Sequence, residues 1–304
     1  MIESLIDLNV VENVAEWIDL GAVWNALLAP AHYVLEPGRR LFWVFLLSAL
    51  ILASLVVTWQ QRRFDLKGQL KALCNRHYWW QRSTAEDVGW LTANSLIRGL
   101  LLVPLLGSHL AATIVVGSAL QTTFGDAPEL NWSLFWIGAG YTLVFFIAED
   151  VSRFALHRWM HVSPFLWRFH TVHHSAINLT PVTVHRVHPV EMSLYYLRGL
   201  MVFGLVSGVF LYLFGGQLHG WEILGVDCLG FLFNALGANL RHTPIWLTFG
   251  RFERWFISPA QHQIHHSAAV EHYDKNFGTC LAIWDRMAQS WLPAKGQSVR
   301  EYGL

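Results

Sequence analysis

Residues 134–174 read LFWIGAGYTLVFFIAEDVSRFALHRWMHVSPFLWRFHTVHH. The first part, 134–149, is apolar and runs straight into a histidine-rich segment, so one long helix is expected to leave a membrane where the histidines begin. Residues four apart share a helical face. His157 and His161 can therefore present imidazoles to one metal ion, and His170, His173 and His174, at i, i+3 and i+4, converge on a face again. Asp150 lies seven residues before His157, on the same face. A carboxylate there is expected to accept the second N–H of a ligand imidazole and fix its tautomer.

The spacing recurs downstream in His262-Gln-Ile-His265-His266, and His242 precedes it by 20 residues. Together these motifs supply nine imidazoles. One closed site takes four ligands, so nine suit two ions with four or five each. Neutral imidazole suits iron, copper, zinc and nickel. His185 and His188, in Thr-Val-His185-Arg-Val-His188-Pro-Val-Glu191, are read as groups supporting the ligands rather than ligands themselves. Isolated His32, His77, His109 and His219 read as ordinary core or surface residues, and His272 as structural or supporting.

The chain around these motifs belongs in a bilayer. Of its 304 residues 54% are hydrophobic and only 14% charged, against about 25% charged in soluble domains. Residues 41–59, 96–119, 134–149, 194–215 and 222–238 are candidate spans, the last two joined by the turn at 215–220 as a helical hairpin. A weaker segment, 17–34, reads as an amphipathic or re-entrant piece. The expected fold is all-α: a polytopic membrane bundle of about four to five spanning helices under a cytoplasmic, histidine-rich di-metal cap. Basic residues crowd into 60–95, 150–193 and 239–304, which the positive-inside rule places in the cytoplasm, with the acidic N-terminus outside. That N-terminus lacks the basic start of a signal peptide. Gly204, Gly208, Gly215 and Gly216 are expected to let helices approach closely. Lys+Arg and Asp+Glu both number 21, so nothing points to nucleic acid, and three scattered cysteines support neither disulfides nor a thiolate site. Residues 1–130 read as a membrane-associated region and 131–304 as the catalytic region of one integrated domain.

The order HxxxH, HxxHH, an isolated His and HxxHH resembles the fatty-acid hydroxylase/sterol desaturase superfamily. Further elements agree: Asp150 with His157-Arg158-Trp-Met-His161; Arg186-Val-His188-Pro189-Val-Glu191; Ser258-Pro259-Ala-Gln-His262-Gln-Ile-His265-His266; Asp274-Lys-Asn276-Phe-Gly278; and Trp284-Asp285-Arg286. The resemblance covers about residues 134–292. It departs at Met287-Ala288-Gln289, where the family carries FGT, and at Gly237, where many members carry a histidine.

The resemblance implies a di-iron centre held by His157, His161, His170, His173, His174, His242, His262, His265 and His266. Asp150, His185, His188, Glu191 and Asp274 would support those ligands. It implies O2-dependent hydroxylation or desaturation of a lipid C–H bond, with O2 as co-substrate, two iron ions as cofactor and electrons from a separate ferredoxin- or cytochrome-type donor. Short loops favour the inner membrane of a bacterium. Two rival readings are a zinc-dependent membrane hydrolase and a non-catalytic metal-binding or transport protein. A transporter would carry ionisable residues along the membrane midplane; here only Arg98, His109 and Arg198 interrupt the spans. The lipid, the donor and the oligomeric state are open at this level.

Overall fold

The computed structural model describes residues 20–215, 220–224 and 226–304. They form a helical membrane bundle in which strand is confined to a two-residue antiparallel ladder, Glu222–Ile223 against Val226–Asp227. The helices are α1 (Leu20–His32), α2 (Trp43–Gln61), α3 (Leu66–Leu73), α4 (Arg82–Ile97), α5 (His109–Phe124) and α6 (Leu134–Val162). Then come α7 (Pro164–His174), α8 (Pro189–Phe214), α9 (Cys228–Ala235), α10 (Pro259–His265) and α11 (Ile283–Met287).

Among the described residues, four stretches are long and apolar enough to cross a membrane: α2, the run Arg82–Phe124 holding α4 and α5, α6, and α8. Most of their apolar side chains face outward, as Leu47, Ile51 and Leu55 do on α2. This is the pattern expected when lipid is the solvent. α6 has 29 residues, a length of about 44 Å at 1.5 Å per residue. A bilayer core is about 30 Å thick, so one end of α6 must project beyond it, and that end carries His157 and His161. The run Arg82–Phe124 is interrupted by a π-helical turn at Arg98–Leu102 and then by Gly107, at φ 79°. Ser108 restarts the helix by accepting from the Ala111 N–H at 3.2 Å.

Small residues set the closest helix contact. A Cβ on Gly204 would lie 2.9 Å from Ala112 Cβ, and one on Gly208 only 2.5 Å from Val116 Cβ, so α8 lies against α5 at a distance that admits no larger residue. Gly215 serves differently: at φ 56° it ends α8, its N–H donating to the Leu211 carbonyl, and an added Cβ would meet no described neighbour. Gly216, His219, most of the 215–220 turn and the acidic N-terminus lie outside the described residues.

The expected span at 222–238 is not one. After the short ladder, α9 has only eight residues, about 12 Å of helix. Asp227 starts it, accepting from the Gly230 N–H at 2.7 Å, and Gly237, at φ 102°, turns the chain into the 3-10 segment Ala238–His242. Hydropathy could not see these two stops. In the weaker segment at 17–34, residues 20–32 form α1, which docks on α4 where the Ser95 hydroxyl donates to the Ala26 carbonyl at 2.8 Å.

Candidate metal centre

Local caps aim the histidine motifs. Ser163 accepts from the Leu166 N–H at 3.4 Å and Pro164 opens α7. α10 begins with a reciprocal capping box, Ser258 accepting from Gln261 N–H at 3.2 Å and the Gln261 side chain accepting from Ser258 N–H at 3.0 Å. Pro259 follows in its first turn, and such caps contribute about 1 kcal/mol each. α10 then packs through Ala260 and Ile264 against Ala294.

The nine histidines of the motifs come together as two groups. His157, His161, His170, His174 and His265 form one; His173, His242, His262 and His266 form the other. Within each group one ring nitrogen of every member lies within 4.8 Å of the rest. Both HxxHH motifs straddle the pair. His170 and His174 enter the first group and His173 the second; His262 and His266 enter the second and His265 the first. Helical geometry explains the division, because residues i and i+4 are about 40° apart around the axis while neighbours such as i+3 and i+4 diverge by about 100°. Rings from the two groups still touch: the His174 and His266 centroids are 4.7 Å apart.

Backbone carbonyls and two carboxylates orient the rings. His157 Nδ1 lies 2.8 Å from the Phe277 carbonyl, His265 Nδ1 2.8 Å from that of Lys275, and His173 Nδ1 3.2 Å from that of Arg186. His170 Nδ1 is 2.9 Å from Glu191 Oε1, and His161 Nδ1 is 3.5 Å from Asp274 Oδ1. Each such contact leaves Nε2 as the free acceptor facing inward. The remaining motif residues hold those carbonyls in place. The Asn276 side chain donates to the carbonyls of Gln261 and Leu292, while Asp285 accepts from the N–H groups of Phe277 and Gly278 at 2.8 and 2.7 Å. Arg186, nearly buried, reaches Glu86 at 2.7 Å and Asp87 at 3.2 Å and so ties the 183–188 segment to α4.

Three supporting residues behave differently from the sequence expectation. Asp150 touches no histidine; its carboxylate accepts from Cys280 N–H, Leu281 N–H and the Trp284 indole at 2.8, 3.0 and 2.9 Å. Seven residues along a helix is about 10 Å, beyond the reach of an aspartate toward His157, so Asp150 instead pins the C-terminal segment to α6. His188 caps α8, its Nδ1 accepting from the Val190 N–H at 3.1 Å. His185 lies apart from both groups, beside Tyr33 with ring centroids 6.0 Å apart. His272 bonds Gln297 at 3.1 Å, a structural contact. Glu191 and Asp274 do sit behind ligand candidates. The carbonyls of Arg186, Lys275 and Phe277 are the members that sequence reasoning missed. Their only trace is the residue chemistry around them, Asp274 and Asn276 at φ 57° and 58°.

The residues fit a metal. Buried Nε2 atoms of His161, His170, His174 and His265 have no hydrogen-bond partner, an arrangement costly to a protein unless something satisfies them. In the second group the Nε2 atoms of His242, His262 and His266 lie 3.2 Å from one another. Burial pushes His170, His174, His242, His262, His265 and His266 well below the usual imidazole range, with neighbouring imidazoles adding to the effect, and takes His173 down to about 4. These rings are therefore neutral at pH 7, the form that donates a lone pair to a cation.

The sequence profile of the fatty acid hydroxylase family matches residues 142–290, the stretch that contains every ligand candidate. That stretch, nearly half of the chain, is of the fatty acid hydroxylase/sterol desaturase type. Among its relatives it is similar to an ornithine lipid hydroxylase of Rhizobium tropici, 24% identical over 68% of this chain and 58% of that one. It is also similar to the alkylglycerol monooxygenase of Caenorhabditis elegans, 25% identical over 58% of this chain and 31% of that one. A third relative is the Delta(7)-sterol 5(6)-desaturase of Eremothecium gossypii, 26% identical over 49% of this chain and 36% of that one. The chain thus spans well under two thirds of the length of these relatives. No solved structure matches it. A lipid-oxidising membrane family, four apolar helices and clustered histidines agree in describing an integral membrane protein.

Proposed function

We propose that this chain is a membrane oxygenase that holds two iron ions and hydroxylates or desaturates a C–H bond of a lipid. The observation that carries the reading is the pairing of a five-histidine and a four-histidine group, with partnerless Nε2 atoms inside, in a superfamily whose relatives are named as hydroxylases, monooxygenases and desaturases. His157, His161, His170, His174 and His265 would hold one ion; His173, His242, His262 and His266 would hold the other. Iron bound there would supply the O2-dependent oxidation. The protein's own part is to orient. Glu191, Asp274 and the carbonyls of Arg186, Lys275 and Phe277 keep protons on Nδ1 and lone pairs on Nε2. Buried Ile264, Phe277 and Met160 exclude water around the cap. Electrons would come from a separate ferredoxin- or cytochrome-type donor at the cytoplasmic face, the side that the positive-inside rule favours for the basic segments 60–95, 150–193 and 239–304.

Groups of five and four imidazoles disfavour the hydrolase rival, whose catalytic zinc keeps three protein ligands and a water. The test is metal analysis with Mössbauer spectroscopy on protein grown in iron-57 medium, beside a His265→Ala, His266→Ala double variant. About two coupled irons per chain are expected in the wild type, with the coupling lost and at least one iron missing in the variant. A single zinc, or no metal in an iron-replete anaerobic preparation, would sink the di-iron reading.

A further inference from the structure

Beside the histidine cap lies a cavity of about 620 Å3, walled by α4, α6, α8, α9 and the segment before α2. It shares its wall with the frame that orients the imidazoles. Val184, His185 and Val187 line it and flank Arg186, whose carbonyl faces His173. Met192 lines it and follows Glu191, the partner of His170. Thr279 and Cys280 line it just past Phe277, whose carbonyl faces His157.

The charges around this space do not balance. Five arginines line it against three carboxylates. Arg153 and Arg198 both bind Glu149, at 2.9 and 3.0 Å, and Arg39 binds Glu36 at 2.9 Å. Asp150 is saturated by its three N–H donors, and Asp227 is engaged at the start of α9. That leaves Arg40 and Arg98, for which no carboxylate among the described residues is within ion-pair distance. Among the described residues their guanidiniums lie against aromatic rings, Phe233 at 5.0 Å and Tyr196 at 5.7 Å. Arg98 sits in the π-helical turn of a spanning stretch. A cation in a span without a counter-charge is costly and is normally kept for a ligand, and π turns recur at functional sites. Away from the Glu149 ion pairs, Phe145 and Phe146 of α6 and Phe203 of α8 give the cavity an aromatic stretch of wall. A guanidinium is built to take phosphate or carboxylate oxygens two at a time.

We propose that this cavity binds the anionic headgroup of a lipid, its phosphate or carboxylate oxygens on Arg40 and Arg98 and its first methylenes against Phe145 and Phe203. As a substrate class for the oxygenase, an anionic or zwitterionic headgroup lipid, this rests on the reading above; as a binding site it does not. The lipid source follows from the position among spanning helices and the aromatic wall, which a free inorganic anion would not use.

Native mass spectrometry of the iron-loaded protein in detergent tests it. The probes are phosphatidylglycerol, diacylglycerol with the same chains, and inorganic phosphate. Phosphatidylglycerol should be retained, diacylglycerol should not, and millimolar phosphate should fail to displace the lipid. Arg40→Gln with Arg98→Gln should cut retention at least tenfold, and Arg40→Lys with Arg98→Lys should restore part of it, with iron measured on the same samples. Should the Gln variant lose iron, the Lys variant against wild type decides, since selectivity for phosphatidylglycerol over diacylglycerol must survive in it. Equal retention of diacylglycerol, unchanged retention in a Gln variant that keeps its iron, or displacement by phosphate would overturn the headgroup site. None of those results touches the oxygenase reading, which falls only if the wild type carries no iron.

Discussion

The two histidine groups are built from the same motifs but are held differently. In the five-histidine group four rings have an outer partner: His157 the Phe277 carbonyl, His161 the Asp274 carboxylate, His170 the Glu191 carboxylate and His265 the Lys275 carbonyl. In the four-histidine group His173 is held by the Arg186 carbonyl, whereas Nδ1 of His262 and of His266 are buried without a partner. Outer partners fix tautomer and ring angle before an ion arrives. The five-histidine group is therefore the more preorganised, and the four-histidine group would depend more on a bound ion for its order.

The largest effect that can break this comparison comes from single ligand deletions. His266→Ala leaves three imidazoles in the weaker group and should remove that ion while the other stays, giving about one iron per chain. His265→Ala leaves four imidazoles and should lower affinity without emptying the site. Metal analysis with Mössbauer spectra decides, and equal loss of both ions from both variants would show that the sites do not stand independently. Next is Glu191→Gln, which keeps the shape but exchanges the carboxyl group behind His170 for an amide. It should weaken iron at the five-histidine site by about tenfold to a hundredfold, read by chelator titration, and leave the other site unchanged.

Asp150→Asn sharpens the contrast between framing and ligation. Loss of charge against three N–H donors should cost about 1–3 kcal/mol of stability, seen as a lower Tm, with iron content unchanged. Selective loss of iron at unchanged Tm would instead make Asp150 a partner of the ligands. The smallest effect concerns acid. Burial, with Arg40 and Arg39 nearby, holds His185 down to about 4, while an unfolded histidine titrates near 6.5. Between those values the unfolded chain binds the proton and the native one does not, so this group makes stability fall as pH drops from about 6.5 toward about 4. His185→Gln should flatten that part of the Tm-against-pH curve; an unchanged curve would show that His185 titrates normally.

The spans and the cap differ in how readily a linear reading finds them. The apolar runs at 41–59, 134–149 and 194–215 each fall on a helix long enough to cross, and 96–119 on the interrupted run Arg82–Phe124. Hydropathy misread 222–238, because an aspartate cap and a left-handed glycine cut an apolar run into a ladder and a short helix. Asp150 was misplaced for a related reason: sharing a face says nothing about distance along the axis, and its donors come from a segment about 130 residues away.

What the sequence by itself determined is the chemistry and its local presentation. Helical periodicity is a short-range property, so HxxxH and HxxHH place imidazoles on faces without reference to the rest of the chain. Only the tertiary structure decided the partition, with each HxxHH giving two rings to one group and the third to the other. It alone supplied the carbonyls of Arg186, Lys275 and Phe277, because every residue has a carbonyl and only packing says which one meets an imidazole. It alone left Arg40 and Arg98 without a counter-charge among the described residues, since pairing depends on which carboxylates the fold brings within reach and which are already held by other groups.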